Sequence, residues 1–161
     1  MVAIFSDISF DPTSRTGISG ILVVEDSQLK KFDDTLVVQL TLHHATACTQ
    51  LEINSVIAAM DIVKKDRPAT ASIYTDCKTA IDLPRRRAKL EANSYISKAK
   101  GEEHQHANLY RLFFRLLDQT TPTLTWIKGH KAASEKSVID SYFSHVDQAC
   151  RRALRAHLAE V

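Results

Sequence analysis

The chain has 161 residues, of which 44% are apolar and 25% are charged, and its formal net charge is +2. These values predict a single globular domain over residues 1–161 that is large enough to bury a substantial core. They exclude a membrane-spanning chain, because no stretch approaches the roughly 18 uninterrupted apolar residues of a transmembrane helix.

The first part of the chain has the pattern of an antiparallel meander. Residues 2–5 and 18–24 are β-rich runs, and they flank a segment in which Pro12 and Gly17 are turn signals. The run 36–42 alternates in part between apolar and polar residues. We therefore predict a hairpin extended by a third antiparallel strand.

The middle of the chain predicts a long helix, a strand and a short helix. Apolar residues recur at helical spacing from Cys48 onward, and Pro68 closes that segment. Residues 71–75 form a second β-rich run that ends at Asp76. We expect a short helix after it, which Pro84 breaks.

The last part of the chain alternates between helical and extended patterns. We predict partial helix over the polar and basic residues 85–103, an apolar-faced helix over 109–117 and a last strand over 123–127. Residues 129–144 are predicted as a long loop or partly helical excursion, and 146–158 as a closing amphipathic helix. This order predicts an α/β fold with a five-stranded mixed sheet, three antiparallel strands followed by two parallel ones, flanked by helices.

The cysteines bear on the compartment. Cys48, Cys77 and Cys150 are odd in number, far apart and without a C-x-x-C pair, so neither a disulfide framework nor a cysteine-rich zinc site is predicted. Charged residues within the first fifteen positions are incompatible with a signal-peptide core. We expect a soluble, cytoplasmic monomer that does not bind membranes.

Four carboxylates fall where the predicted elements meet. Asp7 follows the apolar start of the first strand, Glu52 lies in the first turn of the long helix, Asp76 ends the fourth strand and Asp147 opens the closing helix. Strand ends and helix N-termini collect at one edge of a parallel sheet, where these side chains could converge. Such a cluster repels itself unless a divalent cation neutralises it, and several oxygen ligands suit Mg²⁺ or Mn²⁺.

Two of these acids also have structural interpretations. Thr49 and Glu52 match the Thr-x-x-Glu capping box of a helix N-terminus. Asp147 near a helix N-terminus could simply complement the helix dipole. Asp7 and Asp76 are harder to explain in this way, because Asp is depleted in strands and both residues follow apolar runs.

Positive charge is concentrated in one stretch. Between Arg85 and Lys100 there are six basic residues and one acidic residue. A patch of this kind can dock phosphates, and it can also be no more than a solvated helix face.

Five stretches occur in order along nearly the whole chain: "IFSDISF", "TQLEINSVIAAM", "SIYTDCKTAI", "WIKGH" and "HVDQACRRAL". Together they resemble the ordered motifs of the ribonuclease H family. In that family an Asp on the first strand is followed two residues later by a Ser. A Glu then opens the first helix, a Thr-Asp pair ends the fourth strand, W-x-K-G-H follows the fifth strand, and a final Asp lies on the last helix.

The resemblance implies an activity and a set of site residues. It matches Asp7, Glu52, Asp76 and Asp147 to the metal-binding carboxylates of the family and His130 to its catalytic histidine. The implied reaction is endonucleolytic hydrolysis of the RNA strand of an RNA–DNA hybrid, giving 5′-phosphate and 3′-hydroxyl ends. Two Mg²⁺ ions, or Mn²⁺ as a substitute, would flank the scissile phosphate about 4 Å apart.

The resemblance also implies how the hybrid is held. RNA is distinguished by its 2′-hydroxyls and by duplex shape, so little sequence preference is expected. The stretch 85–100 resembles the basic protrusion of the family, and Thr49 is the one residue before Glu52 that looks able to hold the DNA backbone. The implied nucleic-acid contacts are Ser9, Thr49, Lys78, Arg85, Arg86, Arg87, Lys89, Lys98 and Lys100.

The fourth acid has two candidates. Asp140 lies closer to His130 than Asp147 does, at a spacing that matches compact family members. We choose Asp147, because "VDQACRRAL" continues into an amphipathic helix that is similar to the closing helix of the family, whereas the segment after Asp140 is interpreted as a link into that helix.

Three other functions compete with hybrid cleavage. A nuclease of the same fold could act on DNA, although "WIKGH" argues against this. A non-catalytic hybrid-binding module could retain the acids for stability. A zinc site of His43, His44, His104 and His106 is the weakest of the three, because these residues have no recognisable ligand spacing.

Overall fold

A computed structural model describes residues 1–45, 47–129, 131–132, 134 and 136–161. Its centre is one five-stranded sheet in the order β3-β2-β1-β4-β5. The pairs β1–β2 and β2–β3 are antiparallel, and the pairs β1–β4 and β4–β5 are parallel. This confirms the predicted mixed sheet. The strands are β1 (Val2–Asp11), β2 (Thr16–Glu25), β3 (Gln39–His44), β4 (Ala71–Thr75) and β5 (Thr123–Trp126).

Four helices flank the sheet. They are α1 (Cys48–Asp66), α2 (Lys78–Ala92), α3 (Ala107–Thr120) and α4 (Val138–Ala159), and a short 3₁₀ turn (Asp26–Lys30) follows β2. In the part of the chain that the structure describes, none of these helices combines the length and apolar character needed to cross a bilayer.

Strand β3 begins later than the sequence indicates. The predicted start was residue 36, but the ladder with β2 begins at Gln39. The carbonyl of Leu36 instead accepts a hydrogen bond from His145 Nε2 at 2.8 Å. Val38 is buried in the apolar layer beneath α4. Leu36 and Val38 therefore serve the contact with α4 rather than the sheet, whereas Val37 is exposed.

Helix α2 continues through Pro84, so the predicted break there is wrong. A proline in a helix interior removes one backbone hydrogen bond, which packing elsewhere can offset. Ala80 and Leu83 are completely buried on the side before the proline. After it, Arg87 bonds Glu91 at 2.8 Å and Asp118 of α3 at 2.6 Å. Anchors on both sides keep the helix continuous.

Helix α4 begins eight residues before its predicted start at residue 146. Ser137 is its N-cap, and Ser137 and Asp140 form a reciprocal capping box. Tyr142 and Phe143, which were assigned to a link, are buried on the inner face of the helix. Asp147 therefore lies in the third turn of α4 and does not open the helix.

The alternation of side chains along β1 separates two apolar layers. Ile4 belongs to the layer covered by α1 and α3, whereas Ala3 and Phe5 belong to the layer covered by α4. Successive side chains on a strand point to opposite faces. Asp7 therefore continues the α4 side, and Ser6 continues the α1 side, where its hydroxyl lies 2.6 Å from that of Ser55.

Gly20 allows α4 to approach the sheet closely. It pairs with Asp7 across the β1–β2 ladder. A Cβ placed on Gly20 would lie 2.5 Å from Cys150 Sγ and 3.0 Å from Val146 Cγ1. Those two residues bracket Asp147 on the helix, so the missing side chain at Gly20 determines how near Asp147 comes to Asp7.

We predict that Gly20→Ala destabilises the protein by about 1–3 kcal/mol, because the added methyl group overpacks the contact with α4. The free energy of unfolding from denaturant titration measures this cost. In a Cys150→Ala background the methyl group gains space, so the additional cost of Gly20→Ala should fall. Equal costs in the two backgrounds would contradict this account of the contact.

Candidate functional site

Asp7 is the most deeply buried acid of the site. It lies in β1 on the face covered by α4 and is 7% exposed. Its backbone carbonyl accepts a weak hydrogen bond from Cys150 Sγ at 3.7 Å. Burial, followed by the negative charge of Asp76 and by Asp147, raises the pKa of Asp7 from the usual 3.8 to about 8. Without a compensating cation, this carboxyl therefore holds a proton at neutral pH.

Asp147 reaches Asp7 from the third turn of α4. Its side chain is hydrogen-bonded to that of Asp7. It also accepts a hydrogen bond from Arg151 Nε, one helical turn further on, at 2.9 Å. Its assignment as a helix-opening acid was wrong in position, but the side chain does lie beside Asp7.

Asp140 is occupied by structural contacts. Its Oδ2 accepts hydrogen bonds from the backbone and hydroxyl of Ser137 at 2.9 and 2.8 Å, and its Oδ1 lies 3.0 Å from Lys131 Nζ. Although burial acts to raise it, these donors hold the pKa of Asp140 below its usual range. Of the two candidates for the fourth acid, Asp140 is therefore the one that holds the helix end.

Asp76 follows β4 directly and is exposed at the rim of the sheet. The strand end is fixed on both sides, because Thr75 accepts hydrogen bonds from Cys77 N at its hydroxyl and from Ile127 N at its carbonyl. A Cβ placed on Gly129 would lie 3.6 Å from Asp76 Oδ2. Because Asp76 is exposed to solvent and Gly129 beside it has no side chain, its carboxylate carries no large desolvation cost after the buried strand.

Glu52 lies in the second turn of α1 and is held by two thiols. Cys48 Sγ donates to Oε1 at 3.8 Å, and Cys77 Sγ donates to Oε2 at 3.5 Å. Burial raises the pKa of Glu52, the Cys77 hydrogen bond opposes that shift, and the charge of Asp76 adds to it. Burial, assisted by Glu52, also raises the pKa of Cys48 to about 11 and that of Cys77 to about 12, so both thiols remain donors.

The capping box considered as an alternative role for Thr49 and Glu52 does not form. The N-cap of α1 is Ala47, which has no side chain able to cap, and Thr49 is already inside the helix. Sequence reasoning also missed Cys77. Its thiol caps α2 by accepting from Ala80 N at 3.4 Å, in addition to orienting Glu52. The available signal was its position, directly after Asp76 and just before a helix.

The donor set of the site fits a hard divalent cation by its chemistry. Asp7, Glu52 and Asp76 border one small cleft, and Asp147 joins it through Asp7. All four offer carboxylate oxygens, which Mg²⁺ and Mn²⁺ prefer. As the side chains stand, no three His, Cys, Asp or Glu residues of the described segments are arranged to hold one ion. In the absence of a cation, the proton on Asp7 reduces the negative charge of the cluster.

Three other predicted contacts lie on the elements that carry or follow the carboxylates. Ser9 is on β1, two residues beyond Asp7 on the same face, and Thr49 is half-buried in the first turn of α1. Lys78 opens α2 with its ammonium 5.4 Å from the centre of the Trp126 ring. His130 lies outside the described residues.

The basic stretch 85–100 divides into engaged and exposed residues. Arg87 is bound by Asp118 and Glu91 and stacks 5.0 Å from the Phe114 ring. Arg85 is exposed and pairs with Asp82 at 3.1 Å. A cleft of about 270 Å³ is lined by basic residues of α2 and the segment after it; they are Arg86, Lys89 and Lys98. Lys100 is exposed nearby.

The four histidines considered for zinc do not gather. His43 is hydrogen-bonded to Ser19 at 2.7 Å on the outer strand. His104 and His106 instead pack near Tyr110, with ring centres 5.1 and 6.1 Å from the tyrosine ring. These separate settings leave no zinc ligand set among them.

Comparison with known proteins gives one family and a consistent fold. The RNase H family model matches residues 1–152. No curated protein matches the chain. The structural neighbours include the protease–reverse transcriptase of prototype foamy virus, with a TM-score of 0.73 and 16% identity over 94% of this chain. This chain spans only 20% of that protein.

Two further neighbours share the fold. The solution structure of the RNase H domain of the same virus has a TM-score of 0.70 and 15% identity, covering 94% of this chain and 91% of that domain. A foamy viral protease–reverse transcriptase in complex with an RNA/DNA hybrid has a TM-score of 0.66 and 11% identity, covering 94% of this chain and 19% of that one.

We predict that Asp7→Asn stabilises the protein in the presence of a chelator. Below about pH 4, Asp7 is protonated in both the folded and the unfolded chain. Between pH 4 and 8 the folded chain keeps a proton that the unfolded chain loses, so stability falls as the pH rises. Asn lacks this penalty. Each pKa unit corresponds to about 1.4 kcal/mol, so the gain at pH 8 should exceed about 1 kcal/mol.

Unfolding titrations of both proteins from pH 4 to 8 measure this difference. Asp11→Asn is the matched control, because hydrogen bonds from Ser14 lower the pKa of this exposed acid on the same strand. That control should give no stabilisation. A gain of equal size in the two variants, or no gain in Asp7→Asn, would contradict the assigned electrostatics.

Proposed function

The chain belongs to the ribonuclease H family, and we propose that it hydrolyses the RNA strand of RNA–DNA hybrids at Asp7, Glu52, Asp76 and Asp147. The observation that carries the proposal is the meeting of carboxylates from four separate segments at one rim of the sheet. They are close enough for Asp147 to bond Asp7 and for Asp76 to raise its pKa. Acids gathered in this way favour a divalent cation.

We propose that these four residues hold two divalent ions, Mg²⁺ or Mn²⁺. Ions bound there would activate the attacking water and stabilise the departing 3′ oxygen, leaving 5′-phosphate and 3′-hydroxyl ends. The residues differ in what they contribute to such a site. Asp7 is the buried centre, whereas Asp76 is exposed toward substrate. Glu52 is oriented from both sides by Cys48 and Cys77, which limits its rotation.

The surroundings of the carboxylates favour a nucleic-acid substrate. Lys78 stands at the N-terminus of α2, where its charge and the helix dipole both attract phosphate. Its position over Trp126 restrains the long side chain. We assign backbone contacts to Ser9 and Thr49 because they lie on the same elements as Asp7 and Glu52, two and three residues away. His130 is proposed to assist proton movement or product departure, on the basis of the "WIKGH" motif alone.

The basic protrusion is proposed to grip the hybrid through its exposed cations, Arg85, Lys89, Lys98 and Lys100, together with the half-buried Arg86. Arg87 is engaged by Asp118 and Glu91 and stabilises the junction of α2 with α3. Contacts of this type read phosphates and duplex shape, so cleavage should depend little on sequence.

We predict that Asp76→Asn reduces hydrolysis of a labelled hybrid by more than about 100-fold, because loss of a metal ligand should cost at least as much as loss of a residue that supports one. Hybrid binding should persist or tighten, since a negative charge is removed from the phosphate path. Turnover of hybrid, duplex RNA and duplex DNA in Mg²⁺, Mn²⁺ or chelator measures both the reaction and its substrate.

Asp140→Asn is the matched control for this experiment. It removes a carboxylate from the same region but from the helix cap, so it should lower thermal stability and leave turnover per folded molecule near normal. Near-normal turnover in Asp76→Asn, or cleavage of duplex DNA in preference to hybrid, would refute the proposed function.

We predict that Lys89→Ala/Lys98→Ala weakens hybrid binding at low salt and reduces the slope of log affinity against log salt concentration, because fewer phosphates are neutralised. Fluorescence anisotropy in chelator measures this directly. Lys64→Ala/Lys65→Ala removes the same charge from the far end of α1 and should leave the slope unchanged. Equal slopes in all three proteins would remove the protrusion from the proposed interface.

A further inference from the structure

A second basic surface lies on α4, outside the protrusion that the sequence singled out. It lines a pocket of about 570 Å³ between α4 and residues 127–129 and 131, which follow β5. We call this pocket the α4 basic pocket. Its charged lining residues are Asp76, Lys128, Lys131, Lys136, Asp140, Asp147, Arg151, Arg152 and Arg155.

The lining has a surplus of positive charge. Six of the described lining residues are cationic and three are acidic. Lys131 is bound to Asp140 at 3.0 Å, and Arg151 is bound to Asp147 at 2.9 Å. Among the described residues, these two ion pairs engage two of the six cations. Lys128, Arg152 and Arg155 are exposed, so a ligand in solution can reach them.

The pocket adjoins the carboxylate site. Asp76 lines both the pocket and the small cleft, and Asp147 lines the pocket while its side chain is hydrogen-bonded to Asp7. Arg151 and Arg155 lie one and two turns beyond Asp147 on α4, on the same side of the helix. At 1.5 Å per residue, Arg155 is about 12 Å from Asp147 along the helix axis. A strand that follows the helix covers this distance with about three nucleotides, at 3.4 Å of duplex axis each.

The pocket lies on the opposite face of the sheet from the basic protrusion. Helix α4 covers the layer that contains Phe5, whereas α2 packs with the layer that contains Ile4. Folding does not explain the cations, because α4 is attached through its apolar inner face, including Tyr142, Val146 and Cys150. The lining cations outnumber the lining acids, and an exposed surplus of positive charge attracts an anionic ligand.

We propose that the α4 basic pocket binds backbone phosphates of the nucleic acid where a strand leaves the carboxylate site on the side away from α2. The substrate is then held on both sides of the site, by the protrusion on one side and by Arg152 and Arg155 on the other. Guanidinium groups suit this role because they form paired hydrogen bonds with phosphate oxygens. The inference rests on the proposed function for the identity of the substrate.

The test compares hybrid binding by the wild-type protein and by Arg152→Gln/Arg155→Gln. Anisotropy is measured in chelator over a range of salt concentrations, with hybrids shortened stepwise from each end. In the variant, the salt slope for the full-length hybrid should fall by up to about 2, because each phosphate contact contributes about 0.9. Shortening one specific end by about three nucleotides should weaken wild-type binding and have little effect on the variant.

Lys64→Gln/Lys65→Gln is the matched control, since it removes two positive charges from the distant end of α1. It should bind like the wild type. If Arg152→Gln/Arg155→Gln also binds every hybrid like the wild type, with an unchanged slope, the proposed site is overturned. Thermal unfolding of the variant should match the wild type, because both arginines are exposed.

Wild-type cleavage, measured separately, distinguishes this inference from the proposed function. If the wild type cleaves no hybrid but the arginine variant still lowers the salt slope, hydrolysis is refuted and the phosphate site stands. If the wild type cleaves hybrid and the variant binds it normally, hydrolysis stands and the phosphate site is refuted.

Discussion

The close contact between α4 and the β1–β2 hairpin is the constraint on which the site depends. Gly20 lies opposite Asp7 in the ladder, and its lack of a side chain admits Val146 and Cys150 of α4. Asp147 lies between these two residues and is therefore held against Asp7. The same contact buries Tyr142 and Cys150 over the sheet. Packing of apolar residues thus brings together two carboxyl groups that would repel each other if both were ionised.

The charge distribution explains why this arrangement is tolerable. Asp7 is neutral at pH 7 in the metal-free protein, because burial and its acidic neighbours raise its pKa. Glu52 is stabilised by two protonated thiols, and Asp76 is exposed to water. The most buried acid therefore carries a proton, and the others have hydrogen bonds or solvent. Basic residues of α2 and of α4 lie on opposite faces of the sheet. Both sets belong to the proposed interface with the nucleic acid.

The sequence predicted the sheet and the acids for a simple physical reason. Period-2 runs identify strands, and an Asp directly after such a run marks a strand end, as at Asp76. The features that the sequence did not predict, such as the continuity of α2, depend on contacts between residues far apart in the chain. Pro84 does not end α2, because Leu83 and Arg87 anchor both halves. The start of α4 was missed although Ser137 and Asp140 have the spacing of a capping box. Asp147 was therefore placed in the first turn of the helix, whereas it lies in the third. The thiols around Glu52 and the cations facing the α4 basic pocket become neighbours only in the folded chain.

If the four carboxylates form a divalent-cation site, calorimetric titration with Mn²⁺ should detect it. We expect saturable binding in the wild type and in Asp140→Asn, and loss of that binding in Asp7→Asn and Asp76→Asn. Equal binding heats in all four proteins, or no binding by the wild type, would contradict the proposed site.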